Sequence, residues 1–176
     1  MTTGSRCLRG FRIAAAALLV LTVTTTGCER PPDDAWLRCL GFSVGNATTS
    51  LAVIEGELDN TTLKANANFE NSSRNVTSTG GVGILVYGAR VDYRMSGYSP
   101  PAAEYGVTLY LQPPAKDAAT TGTLTDFPLA SASLKQWLIN AGAGAPVNLT
   151  ARVTFFAETD GGGEIETVGS IGIVLR

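Results

Sequence analysis

Four carboxylates crowd the last stretch of the chain: Glu158, Asp160, Glu164 and Glu166, set around Thr159-Asp-Gly-Gly-Gly163. Ca²⁺ takes oxygen ligands of this kind from flexible turns. The spacing matches no calcium-loop signature such as the EF-hand, so calcium here is an expectation from the carboxylates alone, set against a solvated acidic turn. Paired carboxylates are also the apparatus of glycoside hydrolysis. Glu55 with Glu57, and Glu164 with Glu166, are spaced to share a strand face. Solvated strand edges carry such pairs too, and no catalytic residue is assigned. The chain contains no histidine. Ser-His-Asp and Cys-His nucleophiles and His-containing zinc or copper sites are therefore excluded.

A second chemistry belongs to the N-terminus. Arg6, Arg9 and Arg12 lead into the apolar run from Ile13 to Val23, and Thr26-Gly27-Cys28 follows. The run falls well short of the roughly 20 residues that a bilayer-spanning helix needs. Its order, basic then apolar then small, is that of an export signal. Thr25 to Cys28 resembles the bacterial lipoprotein box, departing from it at Thr25, where that family has Leu. The resemblance implies a signal peptide over residues 1–27 and a lipid on Cys28. Residues 28–36 then read as a polar tether stiffened by Pro31 and Pro32. In Gram-negative lipoproteins an Asp after the cysteine favours the inner membrane. Glu29 stands there instead, which points to the outer membrane, on its periplasmic or its surface face. The other reading is cleavage after Gly27 without lipid, giving a soluble secreted domain in which Cys28 and Cys39 form a disulfide. The two states exclude each other. With Cys28 lipidated, Cys39 reads as a quiet core thiol.

The third group is aromatic. Tyr87, Tyr93, Tyr98, Tyr105 and Tyr110 cluster in the middle of the chain, and strand packing accounts for most of such residues. Tyr98, in a loop beside Pro100 and Pro101, is expected to be exposed. Phe156 is expected to point away from the core with Thr154 and Glu158. These two form the expected interaction surface. The chain has 13 Lys and Arg against 15 Asp and Glu, a net charge of −2. The leader arginines carry part of the positive charge, so the remainder is more acidic still. Nucleic acid, which needs a basic patch, is excluded as a partner. The expected partners are a membrane, through the lipid anchor, and an envelope or surface protein. No cofactor is expected.

Strands must position all of these. Leu40 to Val44 and Ser50 to Leu58 are the first two candidates, split by Gly45-Asn46. Leu63, Ala65, Ala67 and Phe69 alternate with Lys64, Asn66, Asn68 and Glu70, the period of a half-buried strand. Val82 to Met95 reads as one long strand or two joined at Gly88. Tyr105 to Leu111 follows, then an edge strand from Thr121 to Phe127 with Pro128 behind it. Leu134, Trp137, Leu138 and Ala141 have helical spacing, with Ser131 or Ser133 as cap and Gly142 as stop. Val147, Leu149, Ala151, Val153, Phe155 and Ala157 alternate inward. Ile165, Thr167, Gly169, Ile171, Ile173 and Leu175 do so after the turn. Setting Glu158 opposite Glu164 keeps both sets on one face, with Ala157 opposite Ile165 and Leu149 opposite Ile173. About seven or eight antiparallel strands with one short helix predict an all-β, two-sheet sandwich forming a single domain over residues 37–176.

Two stretches carry a family resemblance. Val153-Thr-Phe-Phe-Ala-Glu-Thr-Asp-Gly-Gly-Gly-Glu-Ile-Glu-Thr-Val-Gly-Ser-Ile-Gly-Ile173 and Thr123-Leu-Thr-Asp-Phe-Pro-Leu129 are similar to uncharacterised secreted bacterial β-sandwich proteins. The resemblance covers roughly residues 80–175. It implies an immunoglobulin-like sandwich, distantly similar to the late-embryogenesis-abundant type 2 domain, whose Asn-Pro-Asn motif is missing here. It brings no catalytic residues with it. The functional expectation is a lipid-anchored cell-envelope protein with a structural or protein-interaction role and no enzymatic one. A carboxylate-based hydrolase of envelope glycans is the alternative from another class.

Overall fold

Alternating inward apolar and outward polar residues build the longest hairpin. In the computed structural model, which describes residues 37–47, 49–73 and 81–176, β7 (Val147–Thr159) and β8 (Glu164–Leu175) pair antiparallel. Glu158 faces Glu164, Ala157 faces Ile165 and Leu149 faces Ile173, the register that the alternation predicts. The inward residues of both strands are buried. A slip of one residue would turn both sets to solvent, so burial fixes the register. Thr159 closes the turn. Its N–H donates to the Gly163 carbonyl at 2.9 Å, and its hydroxyl accepts from the Gly163 N–H at 3.0 Å. Gly162 takes a φ of +79°, which side-chain-bearing residues resist.

β7 pairs on its other side with β4 (Ile84–Arg94), and β4 with β5 (Ala103–Leu111). β8 pairs with the short β2 (Val53–Gly56), giving a five-stranded sheet of order β2-β8-β7-β4-β5. The second sheet has three strands in the order β1-β3-β6, where β1 is Leu37–Ser43, β3 is Leu63–Asn71 and β6 is Thr120–Ala130. Among the described residues the fold is all-β, with eight strands in two sheets and one short helix. The expectation that every strand is antiparallel fails at β2. It runs parallel to β8, with Val53 beside Gly172 and Gly56 beside Leu175. The chain leaves β1 in one sheet and joins the edge of the other, so no hairpin dictates its direction. β2 is also shorter than the alternation from Ser50 to Leu58 implies. By Leu58, whose N–H donates to the Arg176 carbonyl at 2.7 Å, the chain has left the strand.

β4 is one strand, interrupted by a bulge between Val86 and Gly88. Tyr87 and Gly88 both face outward there, so Ile84 and Val86 on one side of the bulge and Ala89, Val91 and Tyr93 on the other all point inward. β6 is an edge strand as expected, but it runs through Pro128 to Ala130. An edge strand has one unpaired backbone side, so a residue lacking an N–H is tolerated there.

The core between the sheets centres on aromatic rings. Phe155 of β7 meets Phe69 edge-on at 4.8 Å between centroids, Phe127 at 5.3 Å and Phe42 at 6.3 Å. Tyr105 meets Phe127 edge-on at 5.7 Å. Helix α1 (Ala132–Asn140) links β6 in one sheet to β7 in the other. The Ser131 hydroxyl caps it by accepting from the Leu134 N–H at 3.2 Å, and Gly142, at a φ of +75°, follows its last turn. Leu134 and Leu138 enter the core, as their spacing predicts. Lys135 is buried beside them, its ammonium 2.9 Å from a carboxylate oxygen of Asp59.

Two tyrosine hydroxyls lie inside. Tyr93 donates to the Leu129 carbonyl at 3.0 Å, and burial, with the Tyr105 hydroxyl close by, pushes its ionisation up. The Tyr105 hydroxyl is buried with no hydrogen-bond partner among the described residues. An unpaired buried hydroxyl costs free energy that its removal returns. Tyr105→Phe is therefore expected to stabilise the protein by about 1 kcal/mol, read as a rise in the urea midpoint at unchanged slope. A loss of stability would show that the hydroxyl has a partner.

Candidate interaction face

The outer surface of the five-stranded sheet gathers most of the residues singled out above. On β7 the outward residues run Asn148, Thr150, Arg152, Thr154, Phe156, Glu158; on β8 they run Glu164, Glu166, Val168, Ser170. Glu158 and Glu164 sit directly opposite each other and Glu166 is opposite Phe156. Like charges opposed in this way destabilise a sheet. Asp160 turns elsewhere. Its carboxylate accepts from the Tyr110 hydroxyl at 3.0 Å and from the Gly83 N–H at 3.1 Å, and its own N–H donates to the Gly83 carbonyl at 3.0 Å. These bonds latch the hairpin tip onto the approach to β4 and onto β5. The hydrogen bond to Asp160, which the phenolate would lose, raises the Tyr110 ionisation. The register thus brings Glu158 and Glu164 together and leaves Asp160 engaged with neutral groups. Among the described residues no group of three or more Asp, Glu, Cys or His could hold a metal ion.

Phe156 does face outward. It is half-buried because its ring lies over Gly88, where an added Cβ would stand 3.4 Å from the Phe156 Cδ2. Tyr98 does not have the exposure expected of it. It is half-buried and meets Trp137 of α1 edge-on at 6.5 Å, because the turn after β4 folds back under the helix. The tyrosine cluster splits. Tyr93 and Tyr105 point inward, whereas Tyr87 and Tyr110 are 45 % and 43 % exposed on the outer face. Leu85 and Val168 are exposed on the same face. Sequence reading missed Leu85 and Tyr87 because the bulge changes which residues of β4 face outward. The sharp signal was Gly88, which could mark a bulge as well as a strand break.

Charge on this face is divided. Arg90 pairs with Asp92 at 3.2 Å and with Glu104 at 3.7 Å. Arg94 and Arg152, and at the other end Glu158, Glu164 and Glu166, make no ion pair among the described residues. A shallow depression of about 480 Å³ lies near Arg94, between Val53, Met95 and Asn148. At the edge of the sheet Glu55 is engaged by Arg176 at 2.9 Å.

Cys39 lies on β1 at the seam with β8. Its N–H donates to the Thr167 hydroxyl at 3.0 Å, and a Cβ at Gly169 would come within 2.7 Å of its sulfur. Burial pushes the Cys39 thiol up, against a smaller lowering by the Gly41 backbone, which keeps thiolate scarce at neutral pH. It is unpaired among the described residues. Cys28, with the expected signal peptide and tether, lies outside the described residues. Among the described residues no helix is long and apolar enough to cross a membrane. The chain matches no protein-family model and no curated protein.

Proposed function

We propose that the protein is an exported cell-envelope protein, held to the outer membrane of a Gram-negative bacterium by a lipid on Cys28, whose β domain acts by binding another protein rather than by catalysis. The observation that carries this reading is the order of the N-terminus: arginines, the apolar run Ile13 to Val23, then Thr26-Gly27-Cys28, followed closely by the first strand at Leu37. The exposed Leu85, Tyr87 and Tyr110 on one broad sheet face support a binding role, since exposed apolar side chains gathered on one face are a usual mark of an interaction surface. We further propose an immunoglobulin-like architecture. The strand order supports it: β1-β3-β6 reads as A-B-E and β2-β8-β7-β4-β5 as A′-G-F-C-C′, with the parallel β2–β8 pair as A′ beside G.

The test is intact mass and membrane fractionation of the protein expressed in a Gram-negative host. The expected product starts at Cys28, carries diacylglyceryl and acyl groups, pellets with the membranes and retains one free thiol at Cys39. A soluble product lighter by two hydrogens, with Cys28 joined to Cys39, would overturn the anchor and make the protein a secreted domain.

A further inference from the structure

We propose that the outer face of the five-stranded sheet is the interface of a homodimer, in which two copies pack face to face and Glu158 of each meets Arg152 of the other. The argument starts from what this face leaves unsatisfied. Near its middle Phe156 lies over Gly88, with the exposed Tyr87 and Val168 close by and Glu166 opposite it, while the exposed Leu85 and Tyr110 lie level with Glu158. At the hairpin end, Glu158 and Glu164 oppose each other without a cation among the described residues. Towards the other end Arg152, also exposed, has no acid bonded to it among the described residues, since the Asp92 beside it is held by Arg90.

Excess acid and excess base thus share one surface, and β7 carries both. Glu158 and Arg152 point the same way on that strand with Thr154 and Phe156 between them, which separates them by about 20 Å at strand rise. A twofold interface uses the same patch on both copies and must be complementary to itself. A twofold axis crossing β7 between Thr154 and Phe156 meets that demand. It sets Glu158 against Arg152 twice, once on each side of the axis. It also brings the Arg90 guanidinium of each copy over the Tyr87 and Phe156 rings of the other, a favourable cation–π placement. The face of five strands is about 24 Å wide and about 34 Å long, or roughly 800 Å² per copy, the size of a standard stable interface. The proposal does not depend on lipidation of Cys28.

Sedimentation equilibrium of the full-length protein, purified as its host leaves it and in density-matched detergent if it is membrane-bound, tests this. The wild type is expected to be dimeric at roughly 50 µM. Glu158→Arg and Arg152→Glu should each weaken the dimer at least about tenfold by setting like charges together, and the double swap should restore it. Tyr87→Ser, an exposed substitution, should weaken it while melting like wild type at concentrations where both are monomeric. A monomeric wild type overturns the proposal, and so does a double swap that melts normally but stays monomeric. Should a charge variant fail to fold, dimerisation of Tyr87→Ser at wild-type strength overturns the proposal by itself.

Discussion

Phe155→Ala is expected to cost about 3–5 kcal/mol of unfolding free energy, the loss typical of a buried aromatic truncated to alanine. Phe155 has no exposed surface and touches three other rings, Phe69, Phe127 and Phe42, all carried by the opposite sheet. Removing it empties the place where the two sheets meet, and the flanking rings belong to three different strands that cannot all collapse into the gap. The neighbouring Phe156→Ala supplies the contrast. Its ring lies on the outer face over Gly88, so within one subunit it contributes a cross-strand contact worth up to about 1 kcal/mol. Urea unfolding of both variants checks this. A Phe155→Ala loss no larger than that of Phe156→Ala would show that the aromatic cluster is not the centre of the core.

The alternation that identifies Phe155 as inward and Phe156 as outward is also why the closing hairpin is legible in the chain. β7 and β8 are long, and one face is continuously apolar, so a single register satisfies both strands. The first two strands lack that redundancy. β2 has four residues, and its partner β8 lies far along the chain. Alternation says that such a segment is extended without saying which strand it joins or in which direction. β4 shows a different limit. Its inward set changes from even to odd numbers across Tyr87–Gly88, and period-two reading reports that change only as a break at Gly88. The true event is a bulge, so Leu85 and Tyr87 join the outward face unseen.

The candidate face was legible in its charges and less so in its contacts. The opposition of Glu158 and Glu164 follows from register, and register was readable. The use of Asp160 was not, because its partners Tyr110 and Gly83 reach it through a turn and two other strands. Tyr98 failed for a related reason. A tyrosine between Gly97 and Pro100 reads as an exposed loop residue, yet the helix whose Trp137 meets it follows two strands later in the chain. Contacts of this kind depend on how the sheets and the helix are placed together, which no local pattern encodes. Lys135 is the clearest instance. A lysine within a short helix reads as solvent-facing, and the carboxylate that makes its burial tolerable lies 76 residues away.

That pair supports the second large effect, and its two ends are expected to behave differently. The Lys135 side chain is 2 % exposed and the Asp59 side chain 37 %. Asp59→Ala leaves an ammonium inside the fold with no counter-charge among the described residues, the case in which breaking a buried pair is strongly destabilising. Lys135→Met removes the buried charge, fills the same space and leaves a carboxylate that water already reaches, so it is expected to be neutral or stabilising. Acid should expose the same asymmetry. The hydrogen bond from the Lys135 ammonium, followed by those from the Thr61 hydroxyl and N–H, lowers the Asp59 carboxyl from its ordinary 3.8 to about 2. A depressed carboxyl stabilises the fold above its unfolded value, and that contribution disappears as pH falls through the folded value. Wild type should therefore melt above Asp59→Asn by a constant margin at neutral pH. The margin should narrow between about 3.8 and about 2 as the wild-type carboxyl protonates. Thermal melts of wild type, Asp59→Asn, Asp59→Ala and Lys135→Met across this range measure it. Equal losses in Asp59→Ala and Lys135→Met would mean that helix α1 is held by the pair as such. A margin over Asp59→Ala that survives at the acid end, where the margin over Asp59→Asn has closed, would mean that Asp59 also acts by accepting hydrogen bonds from Thr61.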